Sequence, residues 1–257
     1  MDEGLLVGVD FTADRLRLLF AEVDGEPVHK GEWPLPALDT EEAWSWEVGG
    51  RIATLFAEEG NGRSALAIAV AAPGRVDPIA GCLTHSAGQE SWGGLCVVEA
   101  LRRHIDAPVA AESRVMSALL GETWQGAAMG MDNVLYVSLV GLPRAAILAG
   151  GRPVRGARFG AGMLPAFPEL DVEAGAGGEI EQVAGLLADT TALVDPEVLV
   201  VDAHPRHLDL LIPLLRRVLE EVTPGVRVVR AALGDQAAVV GAIRIASTLM
   251  YESHRAS

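Results

Sequence analysis

Short apolar runs open the chain and predict a group of strands. They cover residues 5–9, 16–23 and 27–33. Asp24-Gly25, which separates the second run from the third, is typical of a hairpin turn. The next run, residues 65–72, has no polar position, which favours a strand that is buried on both faces. Between these strands, apolar residues at helical spacing predict a helix over 41–58.

The rest of the chain alternates predicted strands with predicted helices. We expect strands at 108–111, 134–140, 145–149, 198–201 and 226–229, and helices at 97–104, 113–124, 179–192, 208–222 and 237–250. Such alternation is typical of a layered α/β sheet. The hairpin over 134–149 echoes the hairpins at the start of the chain, so we predict a duplicated α/β lobe. Residues 168–178 are rich in glycine and predict a flexible connection.

The composition is globular and strongly acidic. Of 257 residues, 50% are hydrophobic and 21% are charged, and 20 basic residues against 35 acidic ones give a net charge of −15. A negative field repels phosphate backbones and anionic lipids, and no apolar run reaches the ~18 residues that span a bilayer. The start, Met1-Asp2-Glu3, lacks the basic region of a signal peptide. We therefore expect a cytoplasmic protein with no direct nucleic-acid partner and no membrane partner.

The two cysteines, Cys82 and Cys96, are too few for a disulfide framework or a thiolate zinc cage. Their sequence surroundings show no basic pairing that would mark a reactive thiol. We therefore expect them to be reduced, buried cysteines.

Six segments carry recognisable motifs in a fixed order. In the first half these are LLVGVDFTADRLRLLFAEVDGEPV, AIAVAAPGRVDPIAG and SWGGLCVVEALRRHIDAPVAAESRVMSALLGE. In the second half they are NVLYVSLVGLPRAAILAGGRPVRGARFGAG, LVDPEVLVVDAHPRHLDLLIPLLRRVL and VRVVRAALGDQAAVVGA. Together they resemble the ROK family of sugar kinases and related repressors, within the actin–hexokinase superfamily. The resemblance covers nearly the whole chain.

This resemblance implies a duplicated actin/hexokinase-like (ribonuclease H-like) α/β fold of two lobes, with mixed sheets and flanking helices. We expect an N-terminal lobe over residues 1–110 and a C-terminal lobe over 111–257, with the last helix free to pack back on the first lobe. The family's C-x-C-G-x-x-G-C zinc loop has no counterpart, and residues 167–197 are too few for the family's helices there. We therefore expect a trimmed second lobe without structural zinc. The family also implies a homodimer.

The family's catalytic base is replaced. In its E-N-D-A-N motif the Asp accepts the proton of the sugar hydroxyl, whereas this chain reads Glu112-Ser113-Arg114. Arg114 occupies the position of the base, and Ser113 the position of the sugar-binding Asn. A guanidinium stays protonated at physiological pH, so Arg114 cannot act as a base.

Both phosphate hairpins are degraded as well. The first keeps Asp10, but Thr12 and Asp14 stand among the positions of the family's Gly-Gly-Thr-Lys, where glycines let backbone N–H groups approach phosphate. The second keeps only Gly141 of a glycine-rich motif, and Pro143 removes a donor. The glycine run of the nucleotide pocket reads Asp202-Ala203-His204-Pro205.

The family's sugar site is altered at further positions. The H-x-x-x-G-E-x-G-H segment begins here at Arg158, its Glu is Met163, and its last His is Ala166. The Asn expected before Trp92 is matched by Gly88 or Gln89. The candidate ligand-binding residues of this cleft are Pro73, Gly74, Gly88, Gln89, Glu112, Ser113, Arg114 and Arg158.

Several residues have two interpretations. Asp10 is either a ligand of magnesium-bound water or a polar cap at the hairpin mouth, and we favour the cap. Arg114 is either an anion clamp or an ion-pair partner of Glu112 or a neighbour that fills the cleft. His204 and His207 could hold a metal, but a surface pair at a helix start is favoured. Residues 175–178 could form a phosphate loop, but a linker is favoured.

We therefore expect a non-catalytic, ROK-like protein that binds a ligand or serves as a scaffold or regulator. It would need no metal and no cofactor, and it would pair with itself as a homodimer, with a small sugar-like or anionic compound as its ligand. The first alternative is an active ATP- and Mg-dependent sugar or amino-sugar kinase with a rebuilt site, using Asp10, Asp14 or Glu112 as the base. The second is a transcriptional regulator without its own DNA-binding domain.

Overall fold

The described residues of the computed structural model are 4–86, 90–164, 167, 168, 170 and 177–256. They form two compact units, each built around a five-stranded mixed sheet. The first unit contains the described chain up to Gly121 and again from Ala238 onward. The second unit extends from Glu122 to Ala237.

The first unit contains two sheets. Its strands are β1 Leu5–Phe11, β2 Arg15–Ala21, β3 Pro27–Pro34, β4 Ala65–Ala72, β5 Arg75–Asp77, β6 Cys82–His85 and β7 Val109–Ser113. The large sheet has the order β3-β2-β1-β4-β7, in which β1, β4 and β7 are parallel and β2 and β3 are antiparallel additions. The small sheet is the β5–β6 hairpin, which the sequence did not predict because its strands are only three and four residues long.

The helices of the first unit cover its sheet. They are α1 Glu41–Trp44, α2 Gly50–Glu59, α3 Val97–Arg102 and the first two turns of α4 Arg114–Gln125. The segment predicted as one helix is divided by a π-helical turn, Ser45–Gly49. Thr40 caps the start of α1 by accepting a hydrogen bond from Ala43 N. Trp44 and Trp92 are buried and both pack against Phe11, with ring centroids 5.1 and 5.3 Å away.

The second unit repeats the strand order of the first. Its strands are β8 Val134–Ser138, β9 Arg144–Ala149, β10 Arg152–Pro153, β11 Val198–Asp202 and β12 Arg227–Arg230, in the order β10-β9-β8-β11-β12. The helices are α5 Gly177–Val194 and α6 Pro205–Val222. The predicted duplication of an opening antiparallel hairpin followed by parallel strands is thus present in both units.

The last helix, α7 Ala237–Ala256, lies in the first unit from Ala238 onward. It packs closely on β1, because a Cβ at Gly8 would come within 2.8 Å of the Val239 carbonyl oxygen. The unit boundary also differs from the one expected between residues 110 and 111. β7 pairs with β4, so it and the start of α4 stay with the first sheet.

Glu122 fixes the end of α4 within the second unit. Its side chain is fully buried, and its carboxylate accepts hydrogen bonds from the backbone N–H groups of Ala127, Ala232 and Leu233 at 2.7, 3.1 and 2.8 Å. A buried carboxylate needs such donors. Glu122 therefore ties the turn after β12 to the end of α4.

The predicted flexible connection and the expectation of no membrane-spanning segment remain to be compared with the structure. Most of the predicted flexible connection, residues 168–178, lies outside the described residues. In the described part of the chain, no helix combines the length and apolarity that crossing a membrane requires.

Candidate functional site

The parallel strands of the first unit bring several predicted residues to one sheet edge. β1, β4 and β7 are parallel neighbours, so their carboxyl ends meet at the same edge. Asp10 lies near the end of β1, Pro73 follows β4, and Arg114 follows β7. In open α/β sheets this edge is the usual place for ligands.

Asp10 is the buried acid of this edge. Its side chain is 1% exposed. Arg17 lies opposite it on β2 and is itself buried, and its Nη1 is 3.5 Å from Asp10 Oδ2. A buried carboxylate requires a compensating positive charge or hydrogen-bond donors. Arg17 supplies the first of these.

Arg114 supplies hydrogen-bond donors to the buried Asp10 carboxylate. Its Nε donates to Asp10 Oδ1 at 2.5 Å and its Nη2 donates to Asp10 Oδ2 at 3.1 Å. This side-on pairing engages both carboxylate oxygens, and it is the planar, two-pronged geometry that a guanidinium forms and an ammonium does not. Arg114 is therefore an ion-pair partner, and its pairing residue is Asp10.

The ion network continues along the first hairpin. Arg17 Nε lies 2.6 Å from Glu32 Oε2, and Arg15 lies 3.2 Å from the same carboxylate. The hydrogen bond from Arg17 is the main cause that lowers the pKa of Glu32. Arg17 thus bridges the carboxylates of Asp10 on β1 and Glu32 on β3.

Thr12 and Asp14 bond to each other at the hairpin turn. Thr12 Oγ1 donates to Asp14 Oδ1 at 2.7 Å. This hydrogen bond lowers the pKa of Asp14, which is exposed. The turn that resembles a phosphate hairpin therefore presents a carboxylate to the solvent.

Glu112 and Ser113 have local structural partners. Glu112 is buried, and its Oε1 accepts from Ser113 N at 2.8 Å. Ser113 Oγ accepts from Met116 N at 3.4 Å, at the start of α4. The two residues next to Arg114 thus help to shape the passage from β7 into α4.

Pro73 and Gly74 form the turn between β4 and β5. Gly74 has φ of +89°, and a Cβ there would overlap the His85 carbonyl oxygen. Only glycine fits this turn. The presence of Gly74 is therefore explained by the backbone conformation and does not require a bound ligand. The other candidates of this cleft, Gly88 and Gln89, lie outside the described residues.

The hairpin between β8 and β9 has an apolar tip. Val140 and Leu142 are 59% and 46% exposed, and they flank Gly141, which has φ of +66°. β8 ends at Ser138, two residues earlier than expected. The tip therefore offers aliphatic side chains and Pro143 in place of a row of glycine N–H groups.

Asp202 is a polar feature whose role the sequence did not reveal. It ends β11, directly beside Ser138 at the end of β8. Its Oδ2 accepts from Ser138 Oγ at 3.0 Å and from Tyr136 Oη at 3.2 Å. Burial raises the pKa of Asp202, which these two hydrogen bonds oppose. Only register reasoning between β8 and β11 could have brought these three residues together in advance.

The two histidines of α6 do not form the expected surface pair. His204 caps the helix, accepting from Arg206 N through Nδ1 at 3.3 Å, whereas His207 is buried. His207 is buried because it lies on the apolar face of α6 with Leu208 and Leu211. Among the described residues, no group of three histidines, cysteines or acids could hold a metal ion.

Two other predicted segments have ordinary roles in the described part of the second unit. Met163 pairs with Arg144 in an isolated bridge beside β9, and Arg158 is exposed. Gly177 begins α5, while residues 175 and 176, like Ala166, lie outside the described residues.

The expectation of two free, buried cysteines is wrong. Cys82 and Cys96 form a disulfide, and both are half-buried. Cys82 begins β6 and Cys96 immediately precedes α3. Two cysteines separated by 13 residues gave no signal for pairing, because their proximity depends on the turn through Trp92, which the spacing does not encode.

Two repeated sheets, each with an antiparallel hairpin and three parallel strands, define the actin/hexokinase-like α/β fold. Solved structures agree. A ROK family transcriptional regulator, described as a homologue of the E. coli MLC protein, superposes with a TM-score of 0.82 at 15% identity over 96% of this chain and 78% of that one. A ROK family glucokinase from Streptomyces griseus, in complex with glucose and AMPPNP, superposes with a TM-score of 0.73 at 20% identity over 95% of this chain and 100% of that one.

The sequence comparison gives the family. The profile of the ROK family matches residues 6–164, more than half of the chain, and the chain belongs to the ROK family. A beta-glucoside kinase from Listeria monocytogenes is 35% identical over 95 residues. That alignment spans 37% of this chain and 32% of the kinase, so the match covers about a third of the relative's length.

Proposed function

We propose that this chain is a non-catalytic ROK protein that binds a ligand or acts as a scaffold or regulator. The carrying observation is the Arg114–Asp10 pair. In the family motif that this segment resembles, the position of Arg114 belongs to the base. Here it holds a permanent cation whose Nε and Nη2 both bond to the acid of the first phosphate hairpin.

The same pair argues against a magnesium–ATP site. Asp10 is almost fully buried, and its two oxygens already contact two guanidinium groups. A carboxylate in that state has little left to offer a magnesium ion or its water shell. The exposed valine and leucine of the second hairpin and the Asp202 side chain add bulk where the family has glycines. We therefore propose that the chain uses neither ATP nor magnesium, and no structural zinc.

The other acids of this edge are poor substitutes for the base. The hydrogen bond from Thr12 lowers the pKa of Asp14, so its carboxylate is a weaker proton acceptor. Glu112 is buried and accepts from the Ser113 backbone. Asp14 is therefore a poor replacement for the lost base, and the Glu112 carboxylate is already engaged by the backbone.

One observation favours the alternative of an active sugar kinase with a rebuilt site. The beta-glucoside kinase from Listeria monocytogenes is 35% identical to this chain over 95 residues. In this alternative, Asp10, Asp14 or Glu112 acts as the base. The experiment below separates the two proposals.

The test measures phosphoryl transfer and nucleotide binding directly. Pure protein is incubated with ATP, magnesium and a panel of hexoses, glucosides and amino sugars, and ADP is quantified. Calorimetry measures ATP binding. We expect no sugar-dependent ATP consumption and no ATP binding, with a ROK glucokinase as the positive control.

The contrary outcome is specific. Sugar-dependent ATP consumption that Arg114→Ala abolishes, and that the surface variant Arg102→Ala leaves intact, would overturn the proposal. Arg102 is exposed on α3 and, in the described part of the chain, its ion-pair partner is Glu99, so it is a matched arginine outside the sheet edge.

The expected cellular setting is part of the same proposal. We propose a cytoplasmic homodimer whose ligand is a small sugar-like or anionic compound, held by residues at the sheet edge of the first unit. The acidic composition supports the absence of a nucleic-acid partner. Sedimentation velocity with and without candidate sugars tests both the oligomeric state and the ligand class.

A further inference from the structure

The Cys82–Cys96 disulfide joins two elements of the first unit that backbone contacts already hold together. Leu83 N donates to Leu95 O at 2.8 Å, and Gly94 N donates to Leu83 O at 2.7 Å. These two bonds lie directly beside the two cysteines in sequence. The sulfur atoms are therefore held close by the fold itself, and not by the covalent bond alone.

A tryptophan within the enclosed segment has anchors of its own. Trp92 is buried, and its Nε1 donates to the Leu38 carbonyl oxygen at 2.6 Å. Its ring packs against Phe11 of β1. Loss of the sulfur–sulfur bond would thus leave a segment whose base and whose tryptophan still have noncovalent partners.

The position of the sulfur atoms suits chemical exchange. Both cysteines are half-buried rather than enclosed in the apolar core that surrounds β1 and β4. A disulfide at such a place is accessible to a thiolate, whereas a bond inside the core is not. In a cytoplasmic protein, as proposed above, disulfides are usually transient and sense redox state.

We infer that Cys82–Cys96 is a reversible redox modification site that clamps residues 82–96, and that a protein dithiol of the thioredoxin type opens it. The contacts around the two sulfur atoms do not depend on the proposed function, whereas the cytoplasmic setting that makes the bond reversible is taken from it.

A thiolate of the reductant attacks one sulfur of the disulfide, forms a mixed disulfide, and expels the other cysteine as a thiolate, which takes up a proton. The second thiol of the reductant then attacks the mixed disulfide and releases the first cysteine, which is also protonated. Cys82 and Cys96 gain two electrons and two protons, and the reductant becomes a disulfide.

The experiment counts thiols and measures local opening in the full chain. Protein prepared in air is alkylated and weighed before and after treatment with a thioredoxin-type dithiol, without denaturant. We expect no alkylated cysteine before treatment, two after it, and return to none on reoxidation. Hydrogen exchange of amides in residues 83–95 is then compared between oxidised and reduced protein.

We expect exchange in this segment to rise by about tenfold or more on reduction, because the closed loop regains chain freedom. The Cys82→Ser/Cys96→Ser variant should match the reduced protein, and the variant Thr84→Ser, which keeps the bond, should match the oxidised protein. Amides of β4 should change little in any of these states.

Three outcomes would overturn the inference. Two free thiols in the air-prepared protein would show that the bond does not form. A bond that resists the dithiol without denaturant would show a purely structural disulfide. Equal exchange of residues 83–95 in oxidised and reduced protein would show that the bond clamps nothing. None of these readouts depends on phosphoryl transfer, so failure here is distinct from failure of the proposed function.

Discussion

Arg114 controls the charge around Asp10. Removing its side chain leaves a carboxylate that is 1% exposed with Arg17 as its other cationic partner at 3.5 Å. Losing one partner of a buried ion pair is costly, but Arg114 is itself partly exposed, so the loss is reduced. We expect Arg114→Ala to lower the free energy of unfolding by about 1–3 kcal/mol.

Chemical denaturation measures this change. The control is Arg102→Ala, which removes an exposed i,i+3 pair with Glu99 and should change the free energy of unfolding by less than about 0.5 kcal/mol. Equal effects of the two substitutions would mean that the Asp10 pair is no more than a surface ion pair.

Asp202 makes stability depend on pH in the direction opposite to that of a salt-bridged acid. Burial raises its pKa above the ordinary value of 3.8, so its contribution is complete below that value and is lost as pH rises through the raised pKa. Asp202→Asn keeps an oxygen that can accept from Tyr136 and Ser138 but carries no charge. We expect the variant to be more stable than the parent chain at pH 7, with a difference that shrinks as the pH falls toward 4.

Urea unfolding at a series of pH values measures this difference. Asp189→Asn on the exposed side of α5 is the control and should show no such trend. A variant that is less stable than the parent at pH 7 would contradict the assigned cause, since it would mean that the ionised carboxylate is favoured where it lies.

For single residues, the sequence predicted which residue types occupy the site but not which other residues they contact. The resemblance to a family motif located Arg114 from sequence alone, and the chemistry of a guanidinium excludes it as a base. It offered Glu112 or a neighbour as the pairing residue and did not identify Asp10, because that pairing depends on β1 and β7 lying on either side of β4. The hydrogen bonds of Asp202 and the disulfide were not predicted for the same reason, since both join residues that only the folded chain brings together.

Among the elements, α4 and α7 pack unusually closely within the first unit. A Cβ at Gly241 would overlap the Ser117 carbonyl oxygen and approach Gly121 N within 2.9 Å. Since backbone atoms cannot move aside as a flexible side chain would, the two helices must separate to accept a methyl group. We expect Gly241→Ala to lower the free energy of unfolding of the first unit by about 1–3 kcal/mol.

A second helical glycine provides the matched control. Gly185 lies in α5, is exposed, and has open space where a Cβ would stand. Gly185→Ala should raise stability by about 0.5–1 kcal/mol, because alanine loses less backbone entropy in a helix. Calorimetric unfolding of both variants distinguishes the cases, and destabilisation by both would show that the close helix contact is not the cause.

Elements were the most predictable part of the structure. Continuous apolar runs located β1, β4, β8 and β11, because strands buried on both faces admit few polar residues. The β5–β6 hairpin and the π-helical turn were missed, since three- and four-residue strands carry too few positions for a period and a π turn has no pattern of its own. The β5–β6 hairpin contains Cys82, so one of the elements missed from sequence belongs to the region of the redox proposal.

At the scale of the whole molecule, the chain leaves its first unit and returns to it. The second unit is one continuous stretch, Glu122–Ala237, with its own apolar core around β8, β11 and α6. The first unit needs the chain's last segment, because α7 packs on β1 at Gly8 and buries Val239, Ala242 and Ile243. Ending the chain at Ala237 therefore removes a part of the first unit and leaves the second intact.

We expect this truncation to unfold the first unit selectively. Hydrogen exchange should show loss of protection in β1 and β4 and retained protection in β8 and β11, since a domain keeps its structure only while its own core is covered. A chain that ends at Tyr251 is the control: it removes a terminal turn of α7 whose described side chains are largely exposed, and should keep both patterns. Full protection of β1 in the chain ending at Ala237 would show that α7 is dispensable, and equal loss in β1 and β8 would show that the two units unfold as one. Loss of protection in β1 and β4 alone would instead mean that the first unit is complete only when the C-terminal helix is present. That discontinuous unit then holds the Arg114–Asp10 pair in place.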